Sequence, residues 1–273
     1  MKIDHKTIVL TGAASGIGRE LLFLLAEHSA TIMAVDIDEE TLQRTCAEIE
    51  RSYQAREKPC PAHITPYPCD LSGQANVDRL FKTAVKMMKG IDIFIANAGF
   101  AYYEKINKPD WRHLEHIYRV NVLNPLYSIG KMQALNGEKP YKVILTASAM
   151  AHISVPGYAI YSSTKAALHR FADGYRWQLK DPRKLMLVYP ISTHTEFFHT
   201  AGKNVPIPWP CQQPRSVAQA ILRGIRRDAR KVYPSTLFQV VMLLDRFLPM
   251  HWLVQKIDQR RMEKWLKESS ISQ

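Results

Sequence analysis

With 273 residues, 46% hydrophobic and 23% charged, the chain has the composition of a soluble enzyme and enough length for one large α/β domain. Its cysteines, Cys46, Cys60, Cys69 and Cys211, show no Cys-x-x-Cys spacing, which argues against a metal cluster and for free thiols in a reducing compartment. The net charge of +12 is spread along late helices (Arg223, Arg226, Arg227, Lys256, Arg260, Lys264) rather than gathered in a run interleaved with aromatics, so no nucleic-acid partner is expected. Residues 1–6 are polar and carry no secretory signal, so a cytoplasmic location is expected.

The first apolar run, residues 7–10, suits a buried parallel strand. Thr11-Gly12-Ala13-Ala14-Ser15-Gly16-Ile17-Gly18 follows, and Leu21, Leu22, Leu24 and Leu25 then set a helical pattern. Strand, glycine turn and helix in that order lift a glycine motif above chance. Gly12 permits a tight turn, while Gly16 and Gly18 clear side chains where backbone meets a ligand and helix meets sheet. The free N–H groups and positive dipole end of that helix suit a pyrophosphate. A second buried strand, residues 31–35, ends at Asp36, where a carboxylate would bond the ribose hydroxyls of a dinucleotide and repel a 2′-phosphate. Asp36 therefore favours NAD over NADP. Asp38 is the better cap for the next helix, residues 41–56, and Arg19, inside the first helix, speaks only weakly for NADP.

The proline-rich stretch 58–68 is a connection plus a short strand leading to Cys69-Asp70-Leu71. A helix at 76–89 precedes a strand at 91–96, which stops at Asn97-Ala98-Gly99, where small residues let an adenine ring lie against the strand end. Residues 110–136 read as a long helix interrupted at 121–125, because Pro125 frees a backbone carbonyl and kinks the axis.

The chain is organised around residues 143–168. Val143, Ile144, Leu145 and Thr146 form an apolar strand, Ser148 follows it, and Tyr161 and Lys165 lie four residues apart on one helix face. An ammonium beside a phenol favours phenolate, so such a Tyr can act as general acid or base near neutral pH. A Ser hydroxyl nearby can bond the same reacting oxygen. Spacing alone is weak evidence, since Tyr127 and Lys131 repeat it. Context separates the two pairs: only Tyr161 follows a strand and a Ser-bearing loop, whereas Leu114 stands at the matching position before Tyr127.

A helix at 161–179 leads to a sixth strand at 185–189, ended by Pro190. Residues 191–213, rich in proline and carrying Phe197, Phe198 and Trp209, show no period and are expected to form a substrate lid. A helix at 214–227 and a short seventh strand at 231–233 follow. This alternation implies a single α/β domain, residues 1–235, built on a doubly wound parallel sheet of about seven strands with helices on both faces. Ligands bind such sheets at the carboxyl ends of the strands, where Asp36, Asp70, Asn97, Ser148 and Pro190 all fall. Residues 236–273 are expected to be a helical extension of the same domain. Its apolar stretch, 237–257, is broken by Asp245, Arg246, Pro249 and Lys256, too soon for a spanning helix. Three roles are open to it: packing on the core or a partner subunit, capping the substrate pocket, or peripheral membrane contact through 236–267.

Thr11-Gly12-x-x-x-Gly16-x-Gly18, Asn97-Ala98-Gly99, Asn121, Ser148 and Tyr161-x-x-x-Lys165 stand in an order and spacing that resemble the short-chain dehydrogenase/reductase family over about residues 6–233. The resemblance implies a Rossmann-type fold, a nicotinamide cofactor and a catalytic tetrad of Asn121, Ser148, Tyr161 and Lys165. In it Tyr161 would transfer the proton and Ser148 would orient the reacting oxygen. Lys165 would hold the nicotinamide ribose and lower the Tyr161 pKa, and Asn121 would maintain the kink and a water path to Lys165. The implied cofactor contacts are Gly12, Ser15, Gly16, Ile17, Gly18, Asp36, Asp70, Leu71, Asn97, Ala98, Gly99, Tyr161, Lys165, Pro190, Thr193 and Thr195, with Asp70 at the adenine and the two threonines at the carboxamide and phosphates. Ala96 replaces the first Asn of the usual Asn-Asn-Ala-Gly, Asn124 replaces a Gly, and Ile191 replaces the Gly after Pro190.

The expected activity is hydride transfer between NAD, with NADP as second choice, and a secondary alcohol or ketone. The apolar lid and extension point to a lipophilic substrate, and the resemblance implies a homodimer or homotetramer. No metal is expected. A non-enzymatic dinucleotide-binding sensor or scaffold on the same fold is the alternative. It predicts damage at Tyr161 or Lys165, and both are intact.

Overall fold

The computed structural model describes residues 1–107, 110–195, 197, 201–202, 205–245, 247–248 and 250–271, the last three of these by backbone alone. Phe198 of the anticipated lid, and Arg246 and Pro249 of the extension, lie outside the described residues. Nine strands occur in chain order among the described residues: β1 (Thr7–Thr11), β2 (Thr31–Asp36), β3 (His63–Pro68), β4 (Ile93–Ala96), β5 (Lys142–Thr146), β6 (Leu185–Val188), β7 (Ser192–Thr193), β8 (Cys211–Gln212) and β9 (Lys231–Val232). Seven of them form one parallel sheet in the order β3-β2-β1-β4-β5-β6-β9. This is the doubly wound, Rossmann-type α/β architecture.

The central strands are apolar through their middles because both faces are covered, and their period of two divides those residues between two cores. Ile8, Leu10, Ile32, Ile95 and Val188 face one side with Leu21 of α1 (Gly16–Leu25) and Ile221 of α7 (Pro214–Arg226). Val9, Met33, Phe94, Leu145 and Leu187 face the other with Leu80 of α3 (Gln74–Met88), Met132 of α5 (Asn124–Asn136) and Leu168 of α6 (Ala159–Tyr175). Strand order reverses between β1 and β4, which pair directly, and that switch point opens the crevice in which the site lies.

Asp38 caps α2 (Glu39–Gln54), accepting the Thr41 N–H at 3.0 Å. The anticipated interruption of the long helix is a π-helical turn, Arg119–Leu123, between α4 (Trp111–Tyr118) and α5, with Pro125 in the first turn of α5. The helix expected over 161–179 ends at Tyr175 and tightens into a 3₁₀ turn, Arg176–Gln178. Residues 191–213 are not wholly irregular either. β7 and β8 pair in parallel, tying Ser192 to Cys211 and Thr193 to Gln212 across the base of the segment. Strands of two residues are too short to leave a period in the sequence.

The extension forms α8 (Thr236–Leu244) and α9 (Met250–Ile271). Ser235 accepts the Phe238 N–H to cap α8, and α9 is tied back where Gln255 Nε2 donates to the Ser154 carbonyl at 3.2 Å and Trp265 meets Tyr103 edge-on at 5.0 Å. Among the described residues no helix is long and apolar enough to cross a membrane.

Candidate active site

The turn after β1 is closed by contacts that only glycine allows. Gly12 has φ +67°, and a Cβ there would lie 2.9 Å from the Ala98 Cα. A Cβ on Gly18 would fall 1.7 Å from the Gly12 carbonyl oxygen. Thr11 locks this turn to the end of β4: its Oγ1 accepts the N–H groups of Asn97 and Ala98 at 3.0 and 3.1 Å and donates to the Ile95 carbonyl at 3.1 Å. Asn97 Nδ2 donates to the Gly12 carbonyl at 3.2 Å. Ser15, Gly16 and Ile17 begin α1 on the cleft wall, and no side chain caps the N–H groups there. Those donors remain available to an anion.

Asp36 ends β2 on the same wall. One carboxylate oxygen accepts the Ala14 N–H at 2.9 Å and the other the Asp38 N–H at 3.2 Å. Arg19 turns aside, paired with Glu20 and Glu48 at 3.1 and 2.5 Å and stacked over Phe23. Asp70, whose carboxylate accepts from the Ser72 N–H and hydroxyl, and Leu71, Asn97, Ala98 and Gly99 continue the cleft. Pro190, Thr193 and Thr195 line it beyond β6.

Ser148 follows β5; its Oγ accepts the Met150 N–H at 3.1 Å and, beside the Tyr161 phenol, draws that phenol's pKa down. Lys165 reaches under the Tyr161 ring, its Nζ 5.5 Å from the centroid and donating to the Thr146 carbonyl at 2.8 Å. Both side chains are buried, at 8% and 4% exposure. Asn121, in the π-helical turn, lies behind the wall. Its Nδ2 donates to the Phe100 carbonyl and Thr164 Oγ1, and its Oδ1 accepts the Phe100 N–H. A wider turn there swings the side chain towards Phe100, clear of an ordinary helical ladder. Every residue anticipated for the site lines one cleft of about 970 Å³ except Gly18, which packs the turn, and Asn121.

The sequence pattern of the short chain dehydrogenase family matches residues 6–205. The chain belongs to that family. It is similar to the 3-ketodihydrosphingosine reductase of Dictyostelium discoideum, 27% identical in an alignment 245 residues long that covers 82% of this chain and 73% of the relative. Its fold is shared with a short-chain dehydrogenase from Sphingobium yanoikuyae solved with NADPH, at TM-score 0.74 and 19% identity over 95% of both chains. It is shared equally with one from Burkholderia phymatum solved with NAD, at TM-score 0.75 and 19% identity over 90% of this chain and 94% of the other.

One electrostatic expectation for this dehydrogenase fails in the structure. The resemblance implies that Lys165 lowers the Tyr161 pKa, yet burial pushes the phenol up strongly, opposed among the described residues by Ser148. Burial likewise pulls Lys165 down, to about 8 from 10.5. The cost of desolvating a phenolate outweighs an amine that is directed at the Thr146 carbonyl.

The cleft suits a dinucleotide: a side-chain-free turn, uncapped helical N–H groups and a carboxylate at the end of β2 lie along one wall, and Tyr161 and Lys165 lie further along it. Sequence reasoning missed much of the substrate end, formed by Phe100, Val155, Phe238, Val254, Asp258 and Arg261. Val254, Asp258 and Arg261 fall on one face of α9 at spacings of four and three, a periodicity readable in the sequence but attached to no motif.

Proposed function

We propose that this short chain dehydrogenase transfers a hydride between NAD(H) and a lipophilic secondary alcohol or ketone, with Tyr161 as general acid and base. The observation that carries this reading is the meeting of Ser148, Tyr161 and Lys165 in one buried corner of the cleft that also holds the bare glycine turn. A bound nicotinamide supplies or accepts the hydride. Tyr161 Oη gives its proton to the substrate oxygen in reduction and takes one from the alcohol in oxidation. Ser148 Oγ, on the same cleft wall as Tyr161, orients that oxygen. Lys165 Nζ holds the cofactor ribose, and Asn121 fixes the Phe100 backbone behind them. Gly12, Ser15, Gly16, Ile17 and Gly18 seat the pyrophosphate, Asp70 and Leu71 border the adenine with Asn97, Ala98 and Gly99, and Pro190, Thr193 and Thr195 hold the nicotinamide end.

NAD is favoured over NADP because Asp36 ends β2 while Arg19 is occupied by two glutamates. The apolar cleft wall supports a lipophilic substrate, as does the name of the Dictyostelium relative. Free thiols at all four cysteines support a reducing, cytoplasmic setting. Assembly as a homodimer or homotetramer belongs to the same proposal and is read by light scattering. The sensor alternative gains no support, since Tyr161 and Lys165 are both present and face the cleft.

Titration with NADH and NADPH, followed by nicotinamide fluorescence and then by turnover of long-chain ketones, tests the reading. NADH is expected to bind the tighter, and Asp36→Ala is expected to narrow that preference by roughly tenfold, the value of one charge-assisted contact. Binding of neither dinucleotide contradicts the proposal, and an unchanged ratio removes Asp36 from it.

A further inference from the structure

The two C-terminal helices, and residues 247 and 248 between them, turn large apolar side chains to solvent. Phe247 is 81% exposed, Leu243 59%, Leu248 55% and Trp252 54%, with Leu253 and Ile257 close behind. Single exposed leucines need no explanation, but a cluster of this size on one helix pair marks a docking surface. The cluster runs into the mouth of the cleft. Leu237 and Ile257 are both half-exposed and part of the cleft wall, and Trp209 of the lid, 76% exposed, is another residue common to wall and surface.

Charge says what this surface meets. Lys256, Arg260 and Lys264 are exposed and fall four apart along α9, one stripe that begins where Lys256 Nζ lies 4.6 Å from the Trp252 ring centroid. An apolar tip continued by a basic stripe is the pattern of a helix lying in a lipid interface. A second copy of this chain seated on this surface would bring the same basic stripe against itself. Anionic lipid answers both halves: acyl chains take the tip, and headgroups pair with the stripe.

We infer that the α8–α9 pair docks on an anionic bilayer surface with Leu243, Phe247, Leu248 and Trp252 inserted, so that the cleft opens towards lipid and its substrate enters without crossing water. The route of the substrate rests on the function proposed above; the docking itself does not.

Co-sedimentation with vesicles tests it. The full chain is expected to pellet with phosphatidylcholine vesicles containing about a third phosphatidylglycerol and several-fold less with phosphatidylcholine alone. Phe247→Glu with Leu248→Glu, at exposed positions off the cleft wall, should weaken binding by roughly tenfold or more. Lys256→Gln with Lys264→Gln should weaken binding to the anionic vesicles alone, by a similar factor. Turnover supplies a second readout. The Phe247/Leu248 variant should slow on a long-chain ketone carried in vesicles and keep its rate on a short water-soluble one. Absence of vesicle binding, equal binding to both compositions, or binding untouched by the Phe247/Leu248 variant would overturn the inference. So would a dimer by light scattering that this variant dissolves, which would make the surface a subunit interface. Vesicle binding without turnover of either ketone would remove the oxidoreductase reading and leave the docking standing.

Discussion

The chain contains two Tyr-x-x-x-Lys pairs, and the structure sets them in opposite environments. Tyr127 and Lys131 sit on α5 and both engage Asp78 of α3, the phenol at 2.8 Å and the amine as an ion pair. Asp78 pulls the Lys131 pKa up, as a surface partner should. Tyr161 and Lys165 have no carboxylate partner among the described residues; the amine meets a backbone carbonyl, the phenol a serine, and burial pulls Lys165 down to about 8. The same five-residue spacing thus makes a helix-to-helix tie in one place and a candidate proton-transfer site in the other. Spacing puts two side chains on one face; the strand end in front of that face decides what they do.

Substitution of the two lysines should break the symmetry most. Lys165→Met is expected to lower turnover by roughly 10²-fold or more and to weaken NADH binding, whereas Lys131→Met should leave both within error. Steady-state kinetics with a fluorescence titration reads the two effects apart.

A smaller effect sharpens the contrast in stability. Between pH 8 and 10.5 the unfolded chain keeps a proton on Lys165 that the folded chain has lost, so more protons bind the unfolded state and stability rises with pH across that window. Lys165→Met should remove this rise from denaturant midpoints measured over that range. For Lys131 the folded pKa is raised, so its contribution is present below the ordinary lysine value and lost above it, the opposite sign. Smallest of all, Tyr127→Phe should cost about 0.5–1.5 kcal/mol by denaturant titration with no change in kcat, because the bond it removes lies near the surface.

Much of this was legible in the chain. Apolar runs at 7–10, 31–35 and 143–146 are buried on both faces, so the parallel sheet follows from composition alone, and the glycine turn is legible because no larger residue fits beside Ala98 and Gly12. The far wall of the cleft was not legible, since Val254, Asp258 and Arg261 act only after some 90 residues of intervening chain bring α9 over Tyr161. Nor was the protonation balance of Tyr161. A neighbouring lysine is visible in a sequence, but the depth of burial that outweighs it depends on residues far apart in the chain, such as Tyr103, Ile117 and Tyr158. The short β7–β8 pair escaped because two residues carry no period.

The most direct test is a single-turnover measurement of NADH oxidation by a ketone in the wild type and in Tyr161→Phe, with NADH affinity measured on the same samples. Loss of turnover by roughly 10²–10⁴-fold with affinity kept within a few-fold is the predicted result. Turnover within a few-fold of the wild type would contradict the assignment of Tyr161 as the proton donor.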